Sequence, residues 1–398
     1  MTPRDNVADQ DGSIGDGLRA AARGLLPLLQ ENAGYGDGQR RTSDRTIDAL
    51  TELGMFRLFT PRRFGGFEVT PRTFIEISEI LGTADASAAW VVGAAATCGW
   101  LLAHGSAELQ EEVFGAAPDV RAAGGGAGGG TAVRDGDDYR VSGKWAWASG
   151  APHAAWATVV TTAPESPTDA GGPFFCAMPA ADVEFVDTWH MAGMRGTGSG
   201  TWVASDVAVP THRMIPASVF VGPPDDGLEP LYRLPVMLVG ALTFMGPILG
   251  CGRAALDYTI AAAHSKGVTH TVYRRQADST GMQIRLGEAE LAWQTARLLA
   301  YSVADEVFDL AAAGDAPDAV SFGRFLANLS RAAQLAVEAT ATAVDVHGSG
   351  GLADRSPLQR HLRDVNTAAR HPVFNATIAA EVYGKALLGS NDQVFGGL

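Results

Sequence analysis

The chain has 398 residues, 46% of them hydrophobic, and its 30 basic and 44 acidic residues give a formal net charge of −14. That length accommodates two or three subdomains around a sizeable core, and the acidity argues against nucleic acid or an anionic membrane as partner. Cys98, Cys176 and Cys251 lie far apart without Cys-x-x-Cys spacing, and no His/Asp/Glu cluster has metal-ligand spacing, so neither a metal site nor a disulfide framework is signalled.

Met1 to Asn6 lacks an apolar signal core. Leu18, Leu25, Leu26, Leu28 and Leu29 predict a helix over 18–32, although Gly24 and Pro27 interrupt it. Ser43 opens a second helix carrying Ile47, Leu50, Leu53 and Met55, and Thr70-Pro71 opens a third with Phe74, Ile75, Ile77 and Leu81. A fourth, over about 87–103, carries Trp90, Val91, Ala94 and Ala95. Helical periodicity then stops. Gly124 to Gly130 forms a flexible glycine run, not a phosphate loop, because no Gly-Lys-Ser/Thr follows it. Short runs at 131–134, 139–147, 156–161, 173–178, 183–188 and 201–209 predict the strands of a small β domain, with a hairpin turn at Asp135-Gly-Asp-Asp138. Helical patterns return at 242–265, 273–307, 321–347, 358–370 and 373–388, as expected of an antiparallel bundle. The most apolar stretch, Leu234 to Leu249, contains Pro235, Gly240, Gly246 and Pro247 and is too short and broken for a membrane span. The expectation is a soluble cytoplasmic protein.

Candidate chemistry concentrates in a few segments. Strand alternation places Tyr139, Val141, Gly143, Trp145, Trp147 and Ser149 on one face, so two indoles make a flat wall ending in a hydroxyl. Such a wall suits a flat aromatic cofactor, or it is core. His371 precedes Pro372, which keeps its backbone out of the α region and sets it at a helix break. Its imidazole is an acid–base group facing a cavity, or a cap at a helix end. Arg363, Thr367 and Arg370 share its side of the helix. Arg195-Gly-Thr-Gly-Ser199 is a donor-rich loop or a plain turn. Arg274 and Arg275 suit a diphosphate by charge and fork geometry, or are a solvated pair. The glycine amides of His347-Gly-Ser-Gly-Gly351 allow close approach of a ligand, or simply end a helix. Trp90 and Trp100 line an aromatic pocket or pack as core.

Phe64-Gly-Gly-Phe67, Ser142 to Gly150, Gly193 to Ser199 with Val207 to Arg213, Tyr273-Arg-Arg-Gln276 and Asp345 to Gly351, in this order, resemble the acyl-CoA dehydrogenase fold over about residues 18 to 390. The resemblance implies an α+β architecture: an N-terminal helical domain (1–120), a central small β-barrel domain (121–225) and a C-terminal four-helix bundle (226–398). The dehydrogenases commonly carry a glutamate base in a Tyr-Glu-Gly motif before the last helix, and the corresponding Leu362 to Asn375 has no such motif. Arg363-Asp-x-x-Thr-x-x-x-His371 and Trp145-x-x-x-Ser-Gly150 are instead similar to segments of the related flavin-dependent monooxygenases.

That kinship implies a two-component hydroxylase acting on an aromatic or polycyclic metabolite (a phenol, indole or polyketide) in secondary metabolism, with O2 adding at the flavin C4a carbon. No Gly-x-Gly-x-x-Gly follows a predicted strand, so a separate NAD(P)H:flavin reductase is expected to supply reduced flavin. The resemblance assigns catalysis to His371 paired with Ser149, and flavin contacts to Trp145, Trp147, Ser149, Arg195, Thr197, Ser199, Arg274, His347, Gly348, Ser349 and Gly350. Trp90, Trp100 and Thr367 are assigned to the substrate pocket. An arginine at a pyrophosphate-like position favours FAD, with FMN the alternative. A homotetramer joined through the C-terminal helices, with flavin held between subunits, is also implied. The competing readings are an acyl-CoA dehydrogenase with a displaced base and a non-catalytic flavin or ligand scaffold.

Overall fold

The computed structural model describes residues 3–163, 173–220, 227–390 and 394. Five helices come first: α1 (Pro3–Gln39), α2 (Asp44–Glu52), α3 (Pro71–Ala84), α4 (Ala86–Leu102) and α5 (Ala107–Phe114). Side-chain caps explain their starts, since Ser43, Thr70 and Ser106 each accept a backbone N–H three residues on, and Asp85 accepts from Ser87 and Ala88. Pro71 occupies the first turn of α3, where its missing N–H costs nothing. The sequence reading did not anticipate α5, although Ser106 followed by Leu109, Val113 and Phe114 carries its signal.

Eight strands follow: β1 (Ala122–Gly124), β2 (Ala127–Asp135), β3 (Asp138–Ala148), β4 (Trp156–Thr162), β5 (Pro173–Pro179), β6 (Glu184–Val186), β7 (Gly200–Val209) and β8 (Met214–Pro216). They form one sheet in the order β6-β7-β3-β2-β4-β5-β8, with β1 parallel to β4. The pairing path has two ends, β6 and β8. The glycine run is strand rather than flexible linker: it supplies the end of β1 and the start of β2. Gly130 and Gly143 lie beneath the Trp145 ring, where a Cβ at either would collide with the indole.

The bundle contains α6 (Val236–Ala263), α7 (Thr280–Ala313), α8 (Ala319–His347), α9 (Pro357–Ala368) and α10 (Ala376–Leu387). The expected domain boundary at 225–226 lies outside the described residues. α6 is long and apolar enough to cross a membrane, but 78% of its most apolar window is buried within the fold. It is the core helix, packed against α3, α4 and α8 in one continuous apolar cluster. A second cluster, built on Val141, Trp145, Val159, Met178 and Trp202, lies within the sheet domain.

Two expectations are corrected. α7 begins at Thr280, not near Tyr273, because Gln276 to Asp278 forms a 3-10 turn that precedes it. The alternation of β3 also fails at its end. A register shift between Ala146 and Ala148 against β7 leaves Trp147 as the extra residue, with φ of 66°. Such a bulge sends flanking side chains to opposite faces. Trp145 is therefore 1% exposed in the sheet core and Trp147 is 47% exposed.

Candidate active site

The bulge, the loop before β7 and the end of α9 enclose a cavity of about 720 Å³ against one face of α4. Trp90, Thr97, Cys98 and Leu101 supply the α4 wall, and Gly124, Gly125 and Gly126 supply a wall of bare backbone. Trp147 and Ser149 contribute from the end of β3, Thr158 and Val160 from β4, and Phe175 from β5. Trp189, Met191, Met194, Thr197 and Ser199 come from the loop before β7, while Arg363, Thr367, Arg370 and His371 close the remaining side. Trp90 stacks on Phe244 of α6 at 4.1 Å and 10°. No aspartate or glutamate lines this cavity among the described residues.

A series of hydroxyls runs along one wall. Trp90 Nε1 donates to Ser149 Oγ at 3.2 Å, Ser149 Oγ lies 2.8 Å from Ser199 Oγ, and Ser199 Oγ lies 2.6 Å from Thr197 Oγ1. Thr197 Oγ1 donates to the Met194 carbonyl at 2.8 Å. Each hydroxyl has one proton. With Thr197 committed to Met194, the protons align from Ser149 to Ser199 to Thr197, and Ser149 keeps a lone pair for a ligand. The implied Ser149–His371 hydrogen bond is not present: Ser149 Oγ accepts instead from the Trp90 indole, whose ring lies edge-on to the imidazole at 5.7 Å.

The loop holding Thr197 and Ser199 is fixed from below. Met194 has φ of 53°, and its N–H donates to Asp364 Oδ1 at 2.6 Å. Gly193 lets this loop meet α9, since a Cβ there would strike the Arg363 carbonyl. Arg363 pairs with Asp37 at the end of α1. Asp364 is 3% exposed. Burial pushes its carboxyl up to about 7, against the favourable bond from Met194.

His371 caps the 3-10 turn Pro372–Phe374, its Nδ1 accepting the Val373 N–H at 3.4 Å. That contact leaves the proton of the neutral ring on Nε2. Phe244 and Trp90 flank the ring, and burial pushes its pKa down to about 4, so the imidazole is uncharged at neutral pH.

Other candidates lie elsewhere. Trp145 does not reach the cavity: it is core, with Nε1 donating to the Val160 carbonyl at 2.7 Å. Trp100 is likewise fully buried and donates to the Leu231 carbonyl, because it faces away from the cavity on α4. Arg195 is a clamp on the loop, bonded to the Asp37 and Met191 carbonyls. Arg274, His347, Gly348, Ser349 and Gly350 do not line the cavity. They cluster beyond the end of α6, where Lys266 Nζ and Gln276 Nε2 bond the carbonyls of His347 and Val346. Phe244 and that end of α6 are roughly 30 Å apart along the helix axis. Gly124 to Gly126, read as part of a flexible run, and Thr158 and Phe244 were not assigned to the site from sequence, and Trp189 was read only as the start of the segment that ends at Ser199. The glycine run was the visible signal for the first three, whereas the others depend on long-range packing.

The donor set fits an isoalloxazine ring: an exposed indole face, a bare glycine backbone permitting close approach, and a hydroxyl with a free lone pair. Two family models match the chain. Residues 19–117 match the acyl-CoA dehydrogenase N-terminal domain and residues 242–376 match the acyl-CoA dehydrogenase C-terminal domain. The chain is 32% identical over 385 residues to the flavin-dependent monooxygenase oxygenase subunit HsaA of Rhodococcus jostii, covering 92% of this chain and 96% of that protein. It is 30% identical over 381 residues to the oxygenase component of the FADH2-dependent resorcinol hydroxylase of Rhizobium sp., covering 92% of each. Among solved structures, XiaF from Streptomyces sp. in complex with FADH2 and glycerol superposes with a TM-score of 0.94 at 30% identity, covering 99% of this chain and 100% of that one.

Proposed function

From the premise that the chain belongs to the flavin-dependent monooxygenases of the acyl-CoA dehydrogenase family, we propose that it is the oxygenase component of a two-component aromatic hydroxylase. Its reduced flavin, FADH2 in this reading, comes from a separate reductase, and its substrate is an aromatic or polycyclic metabolite. The observation that carries this reading over a dehydrogenase is the lining itself: a neutral imidazole and a hydroxyl series, with no carboxylate among the described residues to take a proton from an acyl thioester.

Bound reduced flavin would supply the two electrons that activate O2, one atom of which goes to the substrate and the other to water. The chain's part is positioning and proton management. Trp147 and the Gly126 backbone beside it would hold the ring, while Ser149 and Ser199 would hydrogen-bond its polar edge. Trp90, Phe244 and Phe175 exclude water, which strengthens every polar contact in the cavity. His371 offers Nε2–H to an oxygen of substrate or oxidant. It accepts a proton only once an anion forms beside it, because a nearby negative charge raises a depressed imidazole pKa. The test is rapid mixing of the protein, loaded anaerobically with reduced FAD, with oxygen and a phenol. Product should form before oxidised flavin accumulates. His371→Ala should slow product formation by about 10²-fold or more and divert oxygen to hydrogen peroxide. Bleaching of oxidised flavin by an acyl-CoA thioester, with no phenol hydroxylated, would return the chain to the dehydrogenases.

The assembly we propose is a homotetramer in the cytoplasm. Supporting it, α7 leaves Ile284, Leu291 and Leu298 56%, 65% and 70% exposed at seven-residue spacing, a seam that suits a second helix. The axial distance from the cavity to the Arg274 cluster also favours a flavin whose pyrophosphate meets Arg274 from a second copy. Three free, buried cysteines suit a reducing compartment.

A further inference from the structure

The cavity has two ends. Ser149 meets α4 at Trp90. Eight residues further along α4, Cys98 packs beside Gly124, which pairs with Thr158 of β4. The two ends are therefore about 12 Å apart along α4. The hydroxyl series and Trp147 belong to the first end. Cys98, Leu101, Gly124, Val160 and Phe175 make the second end apolar, and burial pushes the Cys98 thiol up to about 12, so it stays neutral.

One polar group interrupts that apolar end. Alternation along β4 sends Ala157 and Val159 into the sheet core and leaves Thr158 and Val160 on the cavity side. Thr158 is 3% exposed, and its Oγ1 has no hydrogen-bond partner among the described residues. Thr97, the other cavity-lining hydroxyl on that side, is committed to the Gly93 carbonyl and to Thr243. Buried hydroxyls in folded chains are normally paired, and an unpaired one is costly. A valine would fill the same volume without that cost, so the oxygen at position 158 matches a ligand that brings the partner.

We propose that Thr158 determines specificity at the deep end of the cavity by hydrogen-bonding a second oxygen function, hydroxyl or carbonyl, on a fused-ring aromatic substrate whose reacting ring lies at the Ser149 end. The separation of the two ends requires more than one ring, and the apolar lining between them requires that the rings be hydrocarbon. This inference rests on the hydroxylase reading for the reaction, but the binding contact stands independently of it.

The test uses matched probes, 1- and 2-naphthol against 1,5- and 2,6-dihydroxynaphthalene, on flavin-loaded wild-type, Thr158→Val and Thr158→Ser proteins. Affinity is measured by titration calorimetry, and turnover with reduced flavin and oxygen. In the wild type one diol should bind about tenfold more tightly than its mono-ol. Thr158→Val should erase that preference, and Thr158→Ser should keep it. Equal binding of diol and mono-ol by the wild type, or failure of all four probes to bind, overturns the proposal. So does a preference that survives in Thr158→Val, or a loss shared equally by mono-ols and diols, which marks a packing defect. If Thr158→Val erases a real binding preference yet no probe is hydroxylated by any variant, the contact stands and the hydroxylase reading falls.

Discussion

His371 and Asp364 sit on the same short segment with proton linkages of opposite sign. The folded pKa of His371 is down at about 4 and that of the fully buried His361 at about 3, both from burial. The unfolded chain therefore binds more protons than the native one below the ordinary histidine pKa. Stability contributed by these neutral rings is complete above about 6.5 and is lost as pH falls towards 4. Asp364 behaves in reverse. Its folded pKa of about 7 lies far above the ordinary aspartate value, so ionising it costs stability progressively as pH rises from about 4 through 7. Asp85, the N-cap of α4, adds to that cost, whereas Arg360 and Arg363 reduce it. Asp364→Asn retains an oxygen for the Met194 N–H and has no proton to lose. Its melting temperature should gain on the wild type above pH 7 and converge with it near pH 4.5. Parallel curves across that range would show that Asp364 does not ionise inside the fold.

Among the elements, β3 divides its two indoles between different tasks. Trp145 fills the space over Gly130 and Gly143, so Trp145→Ala should cost about 3–5 kcal/mol in denaturant unfolding. Trp147 is the bulge residue and has about half its surface open, so Trp147→Ala should shift stability by only about 0.5 kcal/mol. The same change should weaken flavin binding severalfold, as read by flavin titration. A Trp147→Ala protein that melts like Trp145→Ala but binds flavin normally would contradict the division. The positive φ of Trp147 is an unfavourable backbone conformation for a bulky side chain, of the kind that recurs at functional sites.

Over the whole molecule, α7 carries two apolar surfaces, one packed inward and one exposed. Trp293, Ala296, Ala300, Val303 and Val307 face the intramolecular core, whereas Leu291 and Leu298 face outward. If the proposed tetramer packs through that outer face, Leu291→Glu with Leu298→Glu should leave the helix content intact and shift light scattering towards smaller species. It should also weaken FAD binding, if a second copy completes the site with Arg274. An unaltered mass for the double variant would remove α7 from the assembly interface.

How much of this was legible in sequence follows from the range of the forces involved. Caps, the Asp135–Asp138 hairpin, the strand runs and the long bundle helices are written in neighbouring residues, because hydrogen-bond capping, turn conformation and apolar periodicity act over a few positions. The motif order carried the kinship with the monooxygenases and pointed to His371, Ser149, Thr197 and Ser199, which line the cavity. Tertiary structure decided the rest. Seven-residue spacing alone could not tell the buried face of α7 from its exposed one. Strand alternation placed Trp145 with Trp147 until a one-residue bulge, set by pairing with β7, separated them. The glycine run became a cavity wall only because Trp145 and Cys98 lie against it. The Ser149–His371 pair gave way to a Trp90 bond formed across 59 residues of chain. Local residues chose the elements, whereas contacts between elements distant in sequence chose which side chains share one cavity.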